Sequence, residues 1–412
     1  MEVKLIDHLF RHHSGKMVSV LTRIFGLSNL EIIEDAVQDT FLKASISWRK
    51  KQPDNPEAWL TQTAKNRVLD IFRKLKVEQK HFPELKNGIE AISINELFLD
   101  AEIEDAQLRM IFTACHPKLD PKDQIAFALK TISGFSIKEI ASALLTKEET
   151  IKKRLLRARN TIKKTNLAFK IPQGKELNKR IDSVLAVIYL IFNEGFHSNK
   201  KEILIQKELC GEAIRLCKML LKNKHTQVSD TYALFALMCF HAARLDAKIN
   251  TENELLDLKT QDRNKWSFPL IQLGNTMMHK AVETDKFSTY HYEAAIVAEH
   301  IKAPNFEQTN WGKILHWYKC LYELHPSTSH LLTMAVVCLQ NENYVKANYY
   351  FEQINPDDLA QRAYLFYGAK ADYYSKLNKK KEAIKFIELA LEKVTNKLEK
   401  EFLEKKKKSL LL

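Results

Sequence analysis

Glycine and proline are scarce. Each occurs 10 times in 412 residues, together less than half of the usual share of roughly 12%. So few breakers leave little room for the tight turns of a many-stranded β architecture and favour long helices joined by short loops. Cysteine is sparse too. The 6 residues, at 115, 210, 217, 239, 320 and 338, form no C-x-x-C pair. That argues against a zinc module or a disulfide framework and for reduced thiols in a cytoplasmic protein. Long apolar runs are missing: the longest, Val184–Phe192, is far short of the roughly 20 residues that cross a bilayer. Met1–Asp7 lacks a basic stretch leading into an apolar one, so neither a secretory signal nor a membrane association is expected. No Gly-rich phosphate loop, nucleophile triad or carboxylate pair can be read, so no catalytic residue, metal or cofactor is expected and the chain does not read as an enzyme. Cys115-His116 has no companions at ligand spacing and reads as structural. Asn193-Glu-Gly195 reads as a helix end closed by a left-handed glycine rather than as a catalytic carboxylate.

What is present is helical periodicity and positive charge. Apolar residues make up 45% of the chain, enough for real cores, and no segment sustains period-two alternation. The net charge is +13, and Lys147–Lys170 concentrates nine basic residues against only Glu148 and Glu149. Such a local excess on one helix suits a polyanion, although a solvated Lys-rich face would look alike. The run Lys405–Lys408 reads as a solvated tail end.

The expected fold is all-α in several blocks. Residues 1–76 read as amphipathic helices, 77–104 as a connector, 105–170 as helices ending in the basic stretch, and 175–412 as stacked helices after the break Lys170-Ile-Pro-Gln-Gly174. In the last hundred residues Ala335 and Ala347 recur as Ala371 and Ala383, a shift of 36. This resembles the tetratricopeptide pattern of helix pairs.

Within the first block, Ser28-Asn-Leu-Glu31 has capping-box spacing. Ile33, Val37, Phe41 and Ala44 then share one side, while Glu31, Glu34, Asp35 and Gln38 share the other, with Asp39 at its edge. An acidic stripe in a basic domain suits a basic protein partner rather than nucleic acid. Asn55-Pro56 offers a cap and a first-turn proline. Leu60, Ala64, Val68, Ile71 and Leu75, with Phe72 beside them, form the apolar face of the helix that follows. Trp59, Gln62, Thr63, Asn66, Asp70, Arg73 and Lys74 gather on the other face, an arrangement that could stack an unpaired base and hydrogen-bond its edge. Alternatively, Trp59 packs against a neighbouring helix. In the third block, Ser136–Leu144 reads as a short helix and Thr146-Lys-Glu-Glu149 as a capping box opening a second. Ile151, Leu155, Ala158 and Ile162 line its apolar side, and Lys153, Arg157, Asn160 and Lys164 its far side, flanked by Lys152, Arg159 and Lys163. Short helix, brief turn and longer basic helix make helix-turn-helix organisation, in which the second helix enters the major groove.

The combination of Glu34-Asp-Ala-Val-Gln-Asp-Thr-Phe41, Asn55-Pro-Glu-Ala-Trp-Leu60, Ala64-Lys-Asn-Arg67 and a C-terminal helix-turn-helix resembles a bacterial RNA polymerase sigma factor. The missing intermediate domain is similar to the extracytoplasmic-function (ECF) group, which keeps regions two and four. Leu108–Pro117, Tyr189–Phe196, Gln261-Asp-Arg263 and Trp266 resemble motifs of a subgroup with a long tetratricopeptide-like extension. The resemblance implies that Asp35, Gln38 and Asp39 dock on the clamp helices of the largest subunit of core RNA polymerase. It implies that Trp59, Gln62, Asn66, Arg67 and Arg73 meet the −10 promoter element, and Lys152, Lys153, Arg154 and Arg157 the −35 element. It also implies that residues 175–412 regulate the sigma domains or take a protein regulator. The competing expectation is a helix-turn-helix regulator with a tetratricopeptide-like sensor, which leaves the acidic stripe and the Trp59 face without a role.

Overall fold

The computed structural model describes residues 2–49, 51–78, 100–144, 146–196, 207–248, 256–394 and 397–411. Among them are 18 α-helices, short 3-10 turns and no strand, as the scarcity of breakers predicts. None of the described helices is long and apolar enough to cross a membrane. The chain divides into two compact units, residues 1–195 with 208–226, and residues 196–207 with 227–412.

The first unit opens with α1 (Glu2–Phe25), α2 (Leu30–Ser47) and α3 (Pro56–Glu78). Ile33, Val37, Phe41 and Ala44 of α2 are buried against Leu60, Ala64, Val68 and Phe72 of α3 and Met17, Val20 and Leu21 of α1. Leu69 joins this core and Ile71 is only half-buried. The Phe10 and Phe41 rings meet edge to face at 5.0 Å, and Asn55 caps α3 by accepting from the Ala58 N–H at 3.0 Å. The capping box expected at Ser28 and Glu31 does not form. A 3-10 turn occupies Leu27–Asn29, and Asn29, at ψ 14°, lacks the extended geometry of a capping residue. Its amide instead donates to the Phe25 carbonyl at 2.7 Å and closes α1.

The connector expected over 77–104 lies mostly outside the described residues: 77–78 finish α3 and 100–104 already belong to α4 (Asp100–Ala114). Arg23 of α1 pairs with Glu102 and lies 3.8 Å from Asp105, fastening α4 along α1. Next come α5 (Pro121–Thr131), α6 (Ile137–Ala143) and α7 (Glu148–Lys164). A full capping box, Ser136 with Glu139, opens α6. The box expected at Thr146 is absent, because the Thr146 N–H closes the preceding turn on the Ala141 carbonyl at 2.9 Å and α7 begins at Glu148 with no side-chain cap.

Two further helices, α8 (Gly174–Phe196) and α9 (Lys207–Leu220), complete this unit. Arg180 of α8 donates to the Phe112 carbonyl and stands 5.9 Å over the Phe112 ring, and Ser183 donates to the Cys115 carbonyl at 2.8 Å. Burial pushes the Cys115 thiol up to about 12, so it is an inert packing residue. Gly174, at φ +57°, starts α8. Gly195 does not end it in the left-handed conformation expected from sequence: α8 continues to the buried Phe196, whose packing extends the helix past the glycine.

The second unit is centred on α10 (Ser229–Ala242), buried on nearly every side as its uniformly apolar sequence requires. Against it lie α11 (Phe268–Ala281) and α12 (Thr289–Lys302). The chain continues through α13 (Trp311–Leu324), α14 (Thr328–Gln340), α15 (Tyr344–Glu352), α16 (Ala363–Lys376), α17 (Lys380–Lys393) and α18 (Lys397–Leu411). The 36-residue repeat is geometric as well as sequential. Ala335, Ala347, Ala371 and Ala383 are all fully buried between paired helices. Glu342 and Asn378, 36 apart, take the same positive φ of 53° and 57°. The next residues, Asn343 and Lys379, donate to Cys338 and Tyr374, each at 2.9 Å. The run Lys405–Lys408 is not a free tail: Lys406 pairs with Asp372 at 2.6 Å and Lys407 with Glu388 at 2.7 Å, beside the docked Leu403.

His300 on α12 gives this unit a pH signature. Burial, then Arg244 and Arg263, hold its imidazole down to about 4. The unfolded chain takes up this proton near pH 6.5 and the folded chain does not, so stability falls as pH drops from 6.5 toward 4. The loss expected at pH 4.5 is about 2 kcal/mol. His300→Gln should remove that part of the acid sensitivity, read from urea unfolding at pH 4.5 and 7.5.

Candidate polymerase and nucleic-acid interfaces

Helix α2 presents Asp35, Gln38 and Asp39 to solvent, on the side opposite its buried apolar face. The acidic stripe is not uniformly exposed, however. Glu34 is only 5% exposed, and Arg159 of α7 reaches across 125 positions of sequence to bond its carboxylate at 2.5 Å, with Glu31 at 3.8 Å. Burial pushes the Glu34 carboxyl up, and Arg159 acts against that shift. Asp39 is also partnered: Arg67 of α3 donates to it through Nη2 at 2.9 Å and Nε at 3.1 Å. One residue expected at polymerase is therefore paired with one expected at DNA.

On α3, Trp59, Gln62, Asn66 and Arg73 follow one another along a single side, spanning about 21 Å. Gln62 donates to the Asn66 side chain at 3.2 Å, holding both amides on the exposed face. Arg73 lies 3.4 Å from Asp70. Trp59 is half-buried and meets Trp48 edge to face at 5.5 Å. One edge of the indole therefore packs on a neighbouring helix, as the alternative reading of Trp59 expected, while part of the ring stays open.

On α7 the four apolar residues Ile151, Leu155, Ala158 and Ile162 are the buried set. Lys152, Lys153 and Arg157 are exposed and Arg154 half-exposed, with Leu156 standing 53% exposed among them. Among the described residues Lys152, Lys153 and Arg154 have no ion pair. Arg157 bonds the buried Asp123 of α5 at 2.8 Å, locking the basic helix to the helix behind it. Sequence reasoning missed Glu34, Arg159 and Asp123 as a set. No local pattern marks them, because each pair joins separate helices.

The residues that form these faces lie within two family matches. Residues 9–77 match sigma-70 region 2 and residues 109–162 match sigma-70 region 4. Residues 180–282 match a family of unknown function, DUF6596. An uncharacterized protein of Rhizobium meliloti (strain 1021) is 31% identical over 318 residues, covering 76% of this chain and 75% of its own. The ECF RNA polymerase sigma factor SigE of Mycolicibacterium smegmatis is 28% identical over 158 residues, 38% of this chain and 60% of its own. The ferric citrate uptake sigma factor FecI of Escherichia coli K12 is 27% identical over 152 residues, 37% of this chain and 85% of its own. No solved structure matches. The region 2 and region 4 folds define a transcription initiation factor that binds DNA. With the two sigma factors among its relatives, the chain is a sigma factor that directs promoter-specific transcription.

Proposed function

We propose that the chain is an ECF-group sigma factor in which three helices divide the work. The exposed side of α2, with Asp35, Gln38 and Asp39, docks on the clamp helices of the largest polymerase subunit. The Trp59, Gln62, Asn66, Arg67 and Arg73 face of α3 takes non-template bases of the −10 element as the duplex opens. Lys152, Lys153, Arg154 and Arg157 of α7 grip the −35 duplex. Opening costs on the order of 1.4 kcal/mol per base-pair step and stacking one base on an aromatic returns about 1–3 kcal/mol, so start sites must match well. The tetratricopeptide-like extension, residues 175–412, regulates these faces and can take a protein regulator, in a cytoplasmic protein with no catalytic role.

The observation that carries the reading is the division of α7 into a fully buried apolar side and a basic side whose Lys152, Lys153 and Arg154 have no ion-pair partner among the described residues. Cations left without an acid on a rigid helix are available to phosphates, each contact releasing condensed counterions. Run-off transcription with purified core polymerase, with and without the chain, tests the function; absence of specific initiation at every start site in a genomic library would reject it. Lys153→Ala is expected to lower the slope of log affinity against log salt by about one, with no change in unfolding midpoint. Arg157→Ala is a poorer probe, because it also strands Asp123. Asp35→Ala should weaken capture of core polymerase without DNA, and equal capture would remove α2 from the docking surface.

A further inference from the structure

The second unit holds a cluster of buried polar groups that the promoter-directing role does not use. Arg244, at the end of α10, is 9% exposed, and no carboxylate or carbonyl of the described residues bonds its guanidinium. Arg263 faces the same indole: its guanidinium carbon is 4.4 Å from the centre of the Trp266 ring and that of Arg244 is 6.0 Å away. Arg263 is anchored through Nη1 to the carbonyls of His300 and Ala303, at 2.7 and 2.8 Å, which leaves Nη2 buried without a partner. Trp266 Nε1, His300 Nδ1, Gln261 Oε1 and Arg244 Nε are buried without partners among the described residues as well. Among the described residues the only carboxylate acting on either arginine is Glu307, which is exposed and lies 3.8 Å from Lys259.

The enclosed Arg244 guanidinium is repelled by that of the half-buried Arg263, and burial holds the Arg244 group down to about 10 with Arg263 adding to the effect. Enclosed charges without counter-charge are costly, and native proteins rarely leave so many donors of one cluster unmade. A ligand that supplies the missing acceptors would satisfy them together. It must bring close to two negative charges for the two arginines. It must also offer more acceptor oxygens than a carboxylate has, for the guanidinium, indole and imidazole N–H groups. We propose that Arg244, Arg263, Trp266 and His300 form a binding site for a phosphate group, carried by inorganic phosphate or by a small phosphorylated molecule. The planar forks of the arginines suit such a dianion better than a point charge would. This site stands independently of the promoter-directing reading.

The test is thermal unfolding of the full chain in inorganic phosphate, succinate or chloride at equal ionic strength. Because Lys152, Lys153 and Arg154 also attract anions, the variants decide. Phosphate at 10 mM should raise the midpoint of the wild-type chain by about 5 °C over chloride. Arg244→Gln should lose that increment while its midpoint in chloride stays level or rises, because an enclosed unpaired charge has gone. Trp266→Phe, which removes one donor, should weaken phosphate binding about tenfold in calorimetric titration. A wild-type chain that responds equally to phosphate and chloride would overturn the proposal, as would an undiminished phosphate increment in either variant. An increment from succinate as large as that from phosphate would overturn the assignment to phosphate.

Discussion

Gly15→Ala is expected to lower the unfolding midpoint of the first unit by about 6 °C. A Cβ at this position would sit 1.9 Å from the Ile132 carbonyl oxygen and 2.6 Å from its carbon. Both are backbone atoms, so no side chain can swing aside. Gly15 lies on α1, within the region 2 match, and Ile132 ends α5, within the region 4 match. The glycine therefore lets the two sigma regions touch backbone to backbone, and a methyl group must push them apart. Overpacking of this kind costs about 1–3 kcal/mol, and the rigid neighbour places this site at the upper end. For a unit of this size each kcal/mol moves the midpoint by about 2–4 °C. Gly211→Ala is the control: it lies inside α9 and its Cβ would meet nothing within 4 Å, so a gain of about 0.5–1 kcal/mol is expected. An unchanged midpoint in Gly15→Ala, beside a raised one in Gly211→Ala, would show that the two regions do not pack together in solution.

What the sequence made legible is what depends on one helix at a time. The apolar sides of α2 and α7 are buried residue for residue as their spacing implies. The 36-residue alanine repeat marks the closest approaches between paired helices, since small side chains are selected wherever two backbones come near. Two of the expected capping boxes failed for a local reason that composition does not carry. At Ser28 and Thr146 the incoming chain is already turning on backbone bonds, so the side chain cannot reach the extended geometry of a cap. The buried pairs are illegible for a different reason. Glu34 and Asp123 look like any other surface acids on an amphipathic helix. Only the docking of α7 against α2 and α5 decides that they are enclosed and matched to Arg159 and Arg157. The exposed members of the candidate faces were legible by helical period, whereas the ties between those faces had to come from tertiary packing.

Those ties make Arg159→Ala the more informative substitution on α7. Removing the guanidinium leaves the Glu34 carboxylate enclosed with Lys130 as its next nearest cation. Lys130 is itself half-buried, and that burial holds its ammonium below the usual range, so it compensates only in part. Breaking a fully buried pair costs about 3–5 kcal/mol. Arg159 is 24% exposed on its side chain, so about 2 kcal/mol is expected at pH 7 after allowance for solvent. The pH dependence separates this cause from simple loss of packing. Burial already raises the Glu34 carboxyl above 4.5 in the wild-type fold, and without Arg159 it rises further. The variant's folded state thus binds this proton more tightly than its unfolded state does. Its stability declines as pH increases from about 4.5 through the raised value, and its deficit against wild type is smallest in acid and largest above neutrality. Urea unfolding at pH 5 and pH 8 should show the gap widening with pH, and Arg159→Lys should narrow it by returning a charge without the planar fork. A deficit of constant size across that range would assign Arg159 to packing alone and leave the acidic stripe of α2 electrostatically independent of α7.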